Sequence, residues 1–212
     1  MEALADSIPD MRHSASAALG SALLALTLTS APVAAAQLDV TIRTMSYAPV
    51  TLDAVALGST VRWTNVTSPD RLHDVSSSLP GYFHSALLSN GQTFSARFRA
   101  SGTFSYVCTI HDVMIGAVAV PLDAQAVSDA AGTHFHIRMG TGPLPLESPY
   151  RYVLLRQDPG ADHLSVVRVS RGAVVDFAPT VAGEYRFAAR LKDRTLRQHS
   201  GDTATVTLTY AP

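Results

Sequence analysis

The most informative part of the 212-residue sequence is GTFSYVCTIHDVMIGAVAV, residues 102–120. Its two ends are rich in β-branched and aromatic residues and predict neighbouring strands at Thr103–Cys108 and Met114–Val120. The residues between these strands therefore form a tight connection.

Three side chains with metal-binding atoms lie along this connection, three residues apart: Cys108, His111 and Met114. On a tight loop they can converge on one point. A thiolate, an imidazole and a thioether together suit copper better than zinc, calcium or magnesium. A trigonal copper site with a weak axial Met needs a second histidine, and His73, in the same half of the chain, is the best candidate. We therefore expect one copper per chain, held by His73, Cys108, His111 and Met114.

Each of these residues also has an ordinary structural interpretation. Cys108 could be a buried, inert thiol, Met114 a flexible filler of the core, and His73 a histidine of an ordinary loop. However, Cys108 is the only cysteine of a chain that we expect to be exported. Exported chains usually pair their cysteines, so a single one indicates a reactive or ligand-binding thiol.

After residue 36 the sequence consists of short alternating runs separated by turn residues, with no helical period. This pattern predicts an all-β protein built of two β-sandwiches. The first sandwich is expected at residues 37–121 and the second at residues 133–212. The stretch PLDAQAVSDAAG, residues 121–132, lacks periodicity and predicts a linker at residues 122–132.

The first 36 residues differ from the rest. An uncharged run rich in Ala, Leu and Ser ends in Ala34, Ala35 and Ala36, which is typical of a secretory signal peptide cleaved after residue 36. Met11 is a better start for such a peptide than Met1, because the intervening residues are acidic. A membrane anchor is the alternative, but Pro32 and the many small residues disfavour a spanning helix. We expect a periplasmic or secreted protein with no membrane anchor after cleavage.

The charge balance excludes one class of partner. The formal net charge is −1, and no basic stripe is present, so nucleic-acid binding has no electrostatic support.

Residues 37–121 resemble the cupredoxins (type 1 blue-copper proteins), especially the plastocyanin, pseudoazurin and amicyanin group. Four segments carry the resemblance: Tyr47-Ala48-Pro49 with Gly58 to Asn65, His73-Asp74-Val75, Phe83-His84-Ser85 with Gly91-Gln92-Thr93-Phe94, and Gly102 to Cys108 with His111 and Met114-Ile115-Gly116. The resemblance implies a Greek-key β-sandwich and the same four ligands. It also implies an electron carrier rather than an enzyme, with a redox protein as donor or acceptor.

The sequence departs from this family in places. Asp74 replaces an Asn that is common after the upstream histidine. Its carboxylate could accept a hydrogen bond from Thr109 but brings a charge, so the sequence does not predict the reduction potential. Asp112 stands where relatives often have Pro. His84 is interpreted as a surface residue and not as a ligand.

The second half contains no catalytic set. Tyr185, in Gly183-Glu184-Tyr185-Arg186-Phe187, resembles the corner tyrosine of immunoglobulin-like and fibronectin-like sandwiches. His134 and His136 share one face of a predicted strand and could hold a metal, although a surface pair is favoured.

Two rival functions stay open beside electron transfer. One is copper storage or delivery, or an extracellular interaction module. The other is a fragment of a copper oxidase or reductase, which Thr109 disfavours, because multicopper oxidases have a histidine directly after the cysteine ligand. We also expect Ile110, Val113 and Ile115 to be partly exposed around His111, unless the second sandwich covers them.

Overall fold

The computed structural model describes residues 34–130 and 132–212, which fall in one compact unit, Pro32–Pro212. The described residues form strands and turns and no helix, which confirms the predicted all-β class. Within these two ranges, none of the structure is a helix of the length and apolarity needed to cross a membrane. The signal peptide predicted for residues 1–36 lies almost entirely outside the described residues and stays a prediction.

Eight strands build the first sandwich. They are β1 (Gln37–Arg43), β2 (Ser46–Ala48), β3 (Thr51–Leu52), β4 (Thr60–Asn65), β5 (Ser76–Ser77), β6 (Thr93–Arg97), β7 (Gly102–Cys108) and β8 (His111–Val120). One sheet has the order β2-β1-β4-β6 and the other the order β3-β8-β7-β5. Strands adjacent in space are therefore often distant in sequence, as in a Greek key.

The alternation of apolar and polar residues along the strands determines which side chains form the core of this sandwich. β1 and β4 run parallel, with Val40 opposite Trp63. Val40, Ile42, Val61 and Trp63 are all at most 1% exposed, whereas the residues between them face outward or the edges. Burying a large apolar side chain contributes about 1.5–3 kcal/mol. The hydrophobic period thus fixes which face of each strand points inward.

Seven strands build the second sandwich. They are β9 (Asp123–Asp129), β10 (Gly132–Arg138), β11 (Tyr150–Gln157), β12 (Ser165–Ser170), β13 (Val174–Phe177), β14 (Gly183–Asp193) and β15 (Val206–Tyr210). The two sheets have the orders β13-β10-β9 and β12-β11-β14-β15.

Tyr185, on β14, forms the expected tyrosine corner. Its hydroxyl donates a hydrogen bond to the backbone oxygen of Val181 at 2.9 Å and accepts one from the Val181 N–H at 3.2 Å. This return to the backbone four residues upstream agrees with the resemblance to immunoglobulin-like sandwiches.

The structure differs from the sequence prediction at residues 122–132. This segment is not a linker, because Asp123–Asp129 is strand β9 and pairs antiparallel with β10 along its whole length. Arg138 on β10 also donates to the Asp123 carboxylate at 2.9 Å. The chain therefore passes from one sandwich to the next with only two residues outside strands. The exact domain bounds stay a prediction.

The two sandwiches meet at the end of β7 that is distant from Cys108. Thr103 and Gly201 exchange two backbone hydrogen bonds of 2.9 and 2.8 Å, and the Tyr150 hydroxyl donates to the Pro80 oxygen at 2.6 Å. Thr103 lies five residues before Cys108 on β7, or about 17 Å at the usual strand rise. The second sandwich therefore leaves the Cys108 end of the first sandwich uncovered.

Candidate metal centre

The hairpin of β7 and β8 brings Cys108 and His111 face to face. Regular pairing runs up to Val107 opposite Ile115, and the register then shifts so that Cys108 lies opposite His111. Only two residues connect the strands. Cys108 is 1% exposed and His111 is half-buried, so the sulfur points into the sandwich and the imidazole reaches its surface.

His73 reaches the same place from the irregular segment between β4 and β5. Its backbone pairs with Leu88: the His73 N–H donates to the Leu88 oxygen at 3.2 Å, and the Leu88 N–H donates to the His73 oxygen at 2.7 Å. The imidazole is fully buried, and none of the described residues provides a hydrogen-bond partner for its Nε2. The ring is thus held by packing and by its backbone.

Asn65 fixes the segment that carries His73, a role that the sequence interpretation did not assign. Its Nδ2 donates to the backbone oxygens of Arg71 and Leu88, each at 2.7 Å. Its Oδ1 accepts from the Thr67 N–H at 3.0 Å. The available signal was an Asn at the end of a strand with a Thr two residues later, which is typical of a turn closed by the Asn side chain.

The three side chains converge on one point. The Cys108 Sγ lies 3.5 Å from the His111 Nδ1 and 3.9 Å from the His73 Nδ1. The ligand atoms of all three residues lie within 4.8 Å of one another, and no other such group of His, Cys, Asp or Glu occurs in the described residues. Three of the four predicted ligands are therefore brought together.

These separations fit a shared metal ion. Two ligands at about 2.3 Å for sulfur and 2.0–2.1 Å for nitrogen, at angles of 110–120°, have donor atoms about 3.6–3.8 Å apart. Both Nδ1 atoms face the sulfur, so both lone pairs can point at a common centre. The donor set combines one soft thiolate with two imidazoles, which suits copper.

Met114 is the fourth predicted ligand. It follows His111 by three residues on β8 and is 1% exposed, with its side chain in the core of the first sandwich. This position is compatible with an axial thioether, and its role as a ligand stays a proposal.

Burial shifts the pKa values of Cys108 and His73 in the directions that favour the neutral form of each side chain. Burial raises the pKa of the Cys108 thiol, and the backbone N–H groups of Asp74 and Ile110 oppose this shift. Burial, and then the proximity of His111, lowers the pKa of His73. His73 therefore offers a free imidazole at neutral pH, and metal binding has to displace a proton from Cys108.

Asp74 connects the two ligand-bearing segments. Its Oδ1 accepts from the Thr109 N–H at 2.6 Å and its Oδ2 accepts from the Thr109 hydroxyl at 2.7 Å. The expected contact between these residues is thus present, with both carboxylate oxygens engaged. The Tyr47 hydroxyl donates to the Asp74 backbone oxygen at 2.6 Å, a contact that the sequence did not indicate.

The remaining histidines of interest do not join the centre. His84 is exposed, as expected. His136 pairs through its Nδ1 with the Asp176 carboxylate at 2.8 Å, and the His134 Nδ1 lies 3.8 Å from an oxygen of Asp129. Each is thus paired with a different carboxylate on the second sandwich.

Comparisons with known proteins agree with this centre. Residues 34–121 match the family model of copper binding proteins of the plastocyanin/azurin family. Amicyanin-alpha of Methylorubrum extorquens is 39% identical over 70 residues, which are 31% of this chain and 57% of the relative. The chain thus spans a little over half of that relative's length.

Two solved structures show the extent of the similarity. A purple cupredoxin from Nitrosopumilus maritimus is 27% identical, with 39% of this chain and 97% of that chain covered and a TM-score of 0.35. A mutant of amicyanin in a reduced Cu(I) form at pH 4 is 29% identical, with coverages of 40% and 81% and a TM-score of 0.36.

The family match and the converging Cys and His side chains agree on the kind of protein that the first sandwich resembles. Residues 34–121 are similar to the copper-binding plastocyanin/azurin family of cupredoxins, and His73, Cys108 and His111 in this segment support one copper ion.

Proposed function

We propose that the protein is an exported electron carrier that exchanges single electrons with redox proteins at the copper centre. The observation that carries this proposal is the buried Cys108 sulfur, which lies between two imidazole Nδ1 atoms at 3.5 and 3.9 Å. A copper ion held there supplies reversible one-electron chemistry between Cu(I) and Cu(II).

The chain's own residues would divide the work as follows. Cys108 would provide the thiolate, His73 and His111 would provide the imidazoles, and Met114 would provide a weak thioether contact that tunes the potential. Cys108 and His73 are buried, and the backbone pairing of His73 with Leu88 restrains its position, so little rearrangement is expected when the charge at the centre changes. Restrained donors of this kind favour rapid electron exchange.

The surface around His111 suits a transient encounter. Ile110, Val113 and Ile115 are 50%, 65% and 56% exposed, so the second sandwich does not cover them. A small apolar surface around a half-buried ligand allows close approach with weak binding. We propose that electrons enter and leave through His111.

Export is supported by the sequence of the first 36 residues. The uncharged run that ends in three alanines is typical of a cleaved signal peptide, and a single unpaired cysteine bound to copper is compatible with an oxidising compartment. We propose a periplasmic or secreted location.

Copper storage or delivery is the second candidate function, because the same four side chains could bind copper for that purpose. The buried position of Cys108 and His73 opposes this function, because a delivery site has to release the ion readily to an acceptor. Slow electron self-exchange with rapid copper transfer would favour it.

The Ile110→Lys variant is expected to keep the visible spectrum and to slow electron self-exchange at least about tenfold at low salt. The substitution places like charges at the centre of the encounter surface, which raises the barrier to association. Val181→Lys is the matched control, since Val181 is 57% exposed on the second sandwich. NMR line broadening of mixed oxidation states measures the rate. Equal rates for both variants would place the electron port elsewhere.

The Met114→Gln variant is expected to lower the reduction potential by about 59 mV or more, the equivalent of a tenfold change in relative affinity. A harder oxygen donor stabilises Cu(II) relative to Cu(I). Voltammetry measures the shift. Met139→Gln, at an equally buried methionine outside the centre, should reduce stability without this shift. An unchanged potential for Met114→Gln would show that Met114 is not axial.

A further inference from the structure

Four cationic side chains lie together at one end of the β12-β11-β14-β15 sheet of the second sandwich. This cationic cluster consists of Arg151, Arg171, Lys192 and Arg194. Arg151 on β11 lies directly opposite Lys192 on β14, next to the buried pair of Tyr152 and Leu191. Because side chains alternate between the two faces of a strand, these two cations point away from the core.

The other two members flank this pair. Arg171 directly follows β12, whose last residue pairs with Tyr152, so the register places Arg171 beside Arg151. Arg194 directly follows β14, and its N–H donates to the Pro149 oxygen at 2.9 Å, which continues the pairing of the strands. Desolvation, and then the proximity of Arg194 and Arg171, lowers the pKa of Arg151. Positive charge is thus concentrated across three adjacent strands.

The cationic cluster has no counter-ions of its own. In the part of the chain that the structure describes, none of the observed ion pairs involves a member of the cluster. Asp193, between Lys192 and Arg194, is buried and accepts hydrogen bonds from the turn that follows it. Like charges directly opposite each other destabilise a sheet, so this arrangement costs the free protein stability. A partner that supplies negative charge would remove that cost.

The chemistry of the cluster indicates a partner that carries carboxylates. Three of its members are arginines, whose planar guanidinium binds a carboxylate through two parallel hydrogen bonds. Arg151 donates to the Ser148 oxygen at 2.9 Å through one nitrogen, which orients the group and leaves its other N–H groups for a partner. Leu146, whose oxygen lies 3.5 Å from an Arg171 nitrogen, is 75% exposed, and Leu196, in the turn after β14, is 55% exposed. Arginine beside exposed apolar side chains is typical of protein–protein interfaces.

We infer that the cationic cluster is a docking site for a protein partner with an acidic surface, whose Asp or Glu carboxylates pair with the arginines. The formal net charge of the chain is −1, so attraction to an acidic partner is confined to this cluster. The cluster contains no residue of the copper centre. The inference therefore does not depend on the proposed electron transfer.

The Arg151→Gln/Arg171→Gln double variant removes two charges and both guanidinium groups from the cluster. We expect it to bind a synthetic peptide of six glutamates and two leucines at least about tenfold more weakly than the wild type at low salt, because charge-assisted hydrogen bonds are lost. Arg43→Gln/Arg99→Gln is the matched control, since it removes the same charge from exposed positions of the first sandwich and should change the affinity less than twofold. Isothermal titration calorimetry of the copper-loaded proteins measures these affinities.

Two further double variants make the test decisive. Arg151→Lys/Arg171→Lys keeps the charge but loses the planar groups, so it should weaken binding at least about threefold. If the Gln variant does not fold, Lys192→Gln/Arg194→Gln removes two other charges of the cluster and should weaken binding at least about fivefold. Failure of the wild type to bind the peptide, or an equal loss of affinity in the control and the cluster variants, would overturn the inference. So would binding of a heparin fragment or of phosphatidylglycerol vesicles that the Gln variant loses while its peptide affinity is unchanged, because the cluster would then serve another polyanion.

Discussion

Cys108→Ser is expected to abolish the intense visible absorption of the copper-loaded protein while the β fold remains. The colour of such a centre arises from charge transfer between a thiolate and Cu(II), and Cys108 is the only cysteine of the chain. Serine is close in size, so the buried position loses little packing. Copper affinity should fall by at least about a hundredfold, because a hydroxyl is a harder and far less acidic donor than a thiol.

Visible absorption and far-UV circular dichroism of the two proteins, loaded with equal copper, measure this effect. His84→Ala is a suitable control, because this exposed histidine lies outside the converging ligands and its loss should leave the colour intact. A Ser variant that keeps its colour would show that the sulfur of Cys108 does not bind the ion.

Gly116→Ala is expected to destabilise the protein by about 3 kcal/mol, at the upper end of the usual cost of overpacking. Gly116 on β8 lies opposite Tyr106 on β7, and a Cβ at this position would overlap the Tyr106 ring. Tyr106 is fully buried, and its ring packs against Tyr47 at 4.8 Å and Trp63 at 5.3 Å between centroids. The ring therefore has no space into which it can move.

Urea unfolding of the protein without copper measures the free-energy change for Gly116→Ala. Gly142→Ala is the matched control, because nothing lies within 4 Å of the added Cβ, and its effect should stay within about 0.5 kcal/mol. Equal stabilities for the two variants would mean that the Tyr106 ring is less constrained than its contacts indicate. Since Tyr106 lies two residues before Cys108, this substitution should also broaden the visible band.

The part of the metal centre that is formed by residues close in sequence could be predicted. Cys108 and His111 are joined by a two-residue turn, so their spacing alone brings them together. His73 was predicted from the chemistry that a second imidazole would complete, and the structure places it beside them. Its support by Asn65 and by the pairing with Leu88 was not predictable, because these contacts join residues far apart in sequence.

The error at residues 122–132 has a physical cause. β9 lies at the edge of its sheet and pairs only with β10, so most of its side chains are exposed and it needs no apolar period. Hydrophobic alternation detects strands with one buried face, and an edge strand held by backbone hydrogen bonds gives no such signal. The position of the second sandwich was likewise unpredictable, because the contacts of Thr103 and Tyr150 depend on tertiary packing alone.

The central claim is that the chain binds one copper through the Cys108 thiolate, in the site where His73 and His111 converge with it. The most direct test is a titration of the metal-free protein with Cu(II), followed by visible absorption and by metal analysis of the product. We expect the band to grow linearly and to stop at one copper per chain, with the protein's secondary structure unchanged. Saturation without a visible band, or an end point other than one copper, would contradict the claim.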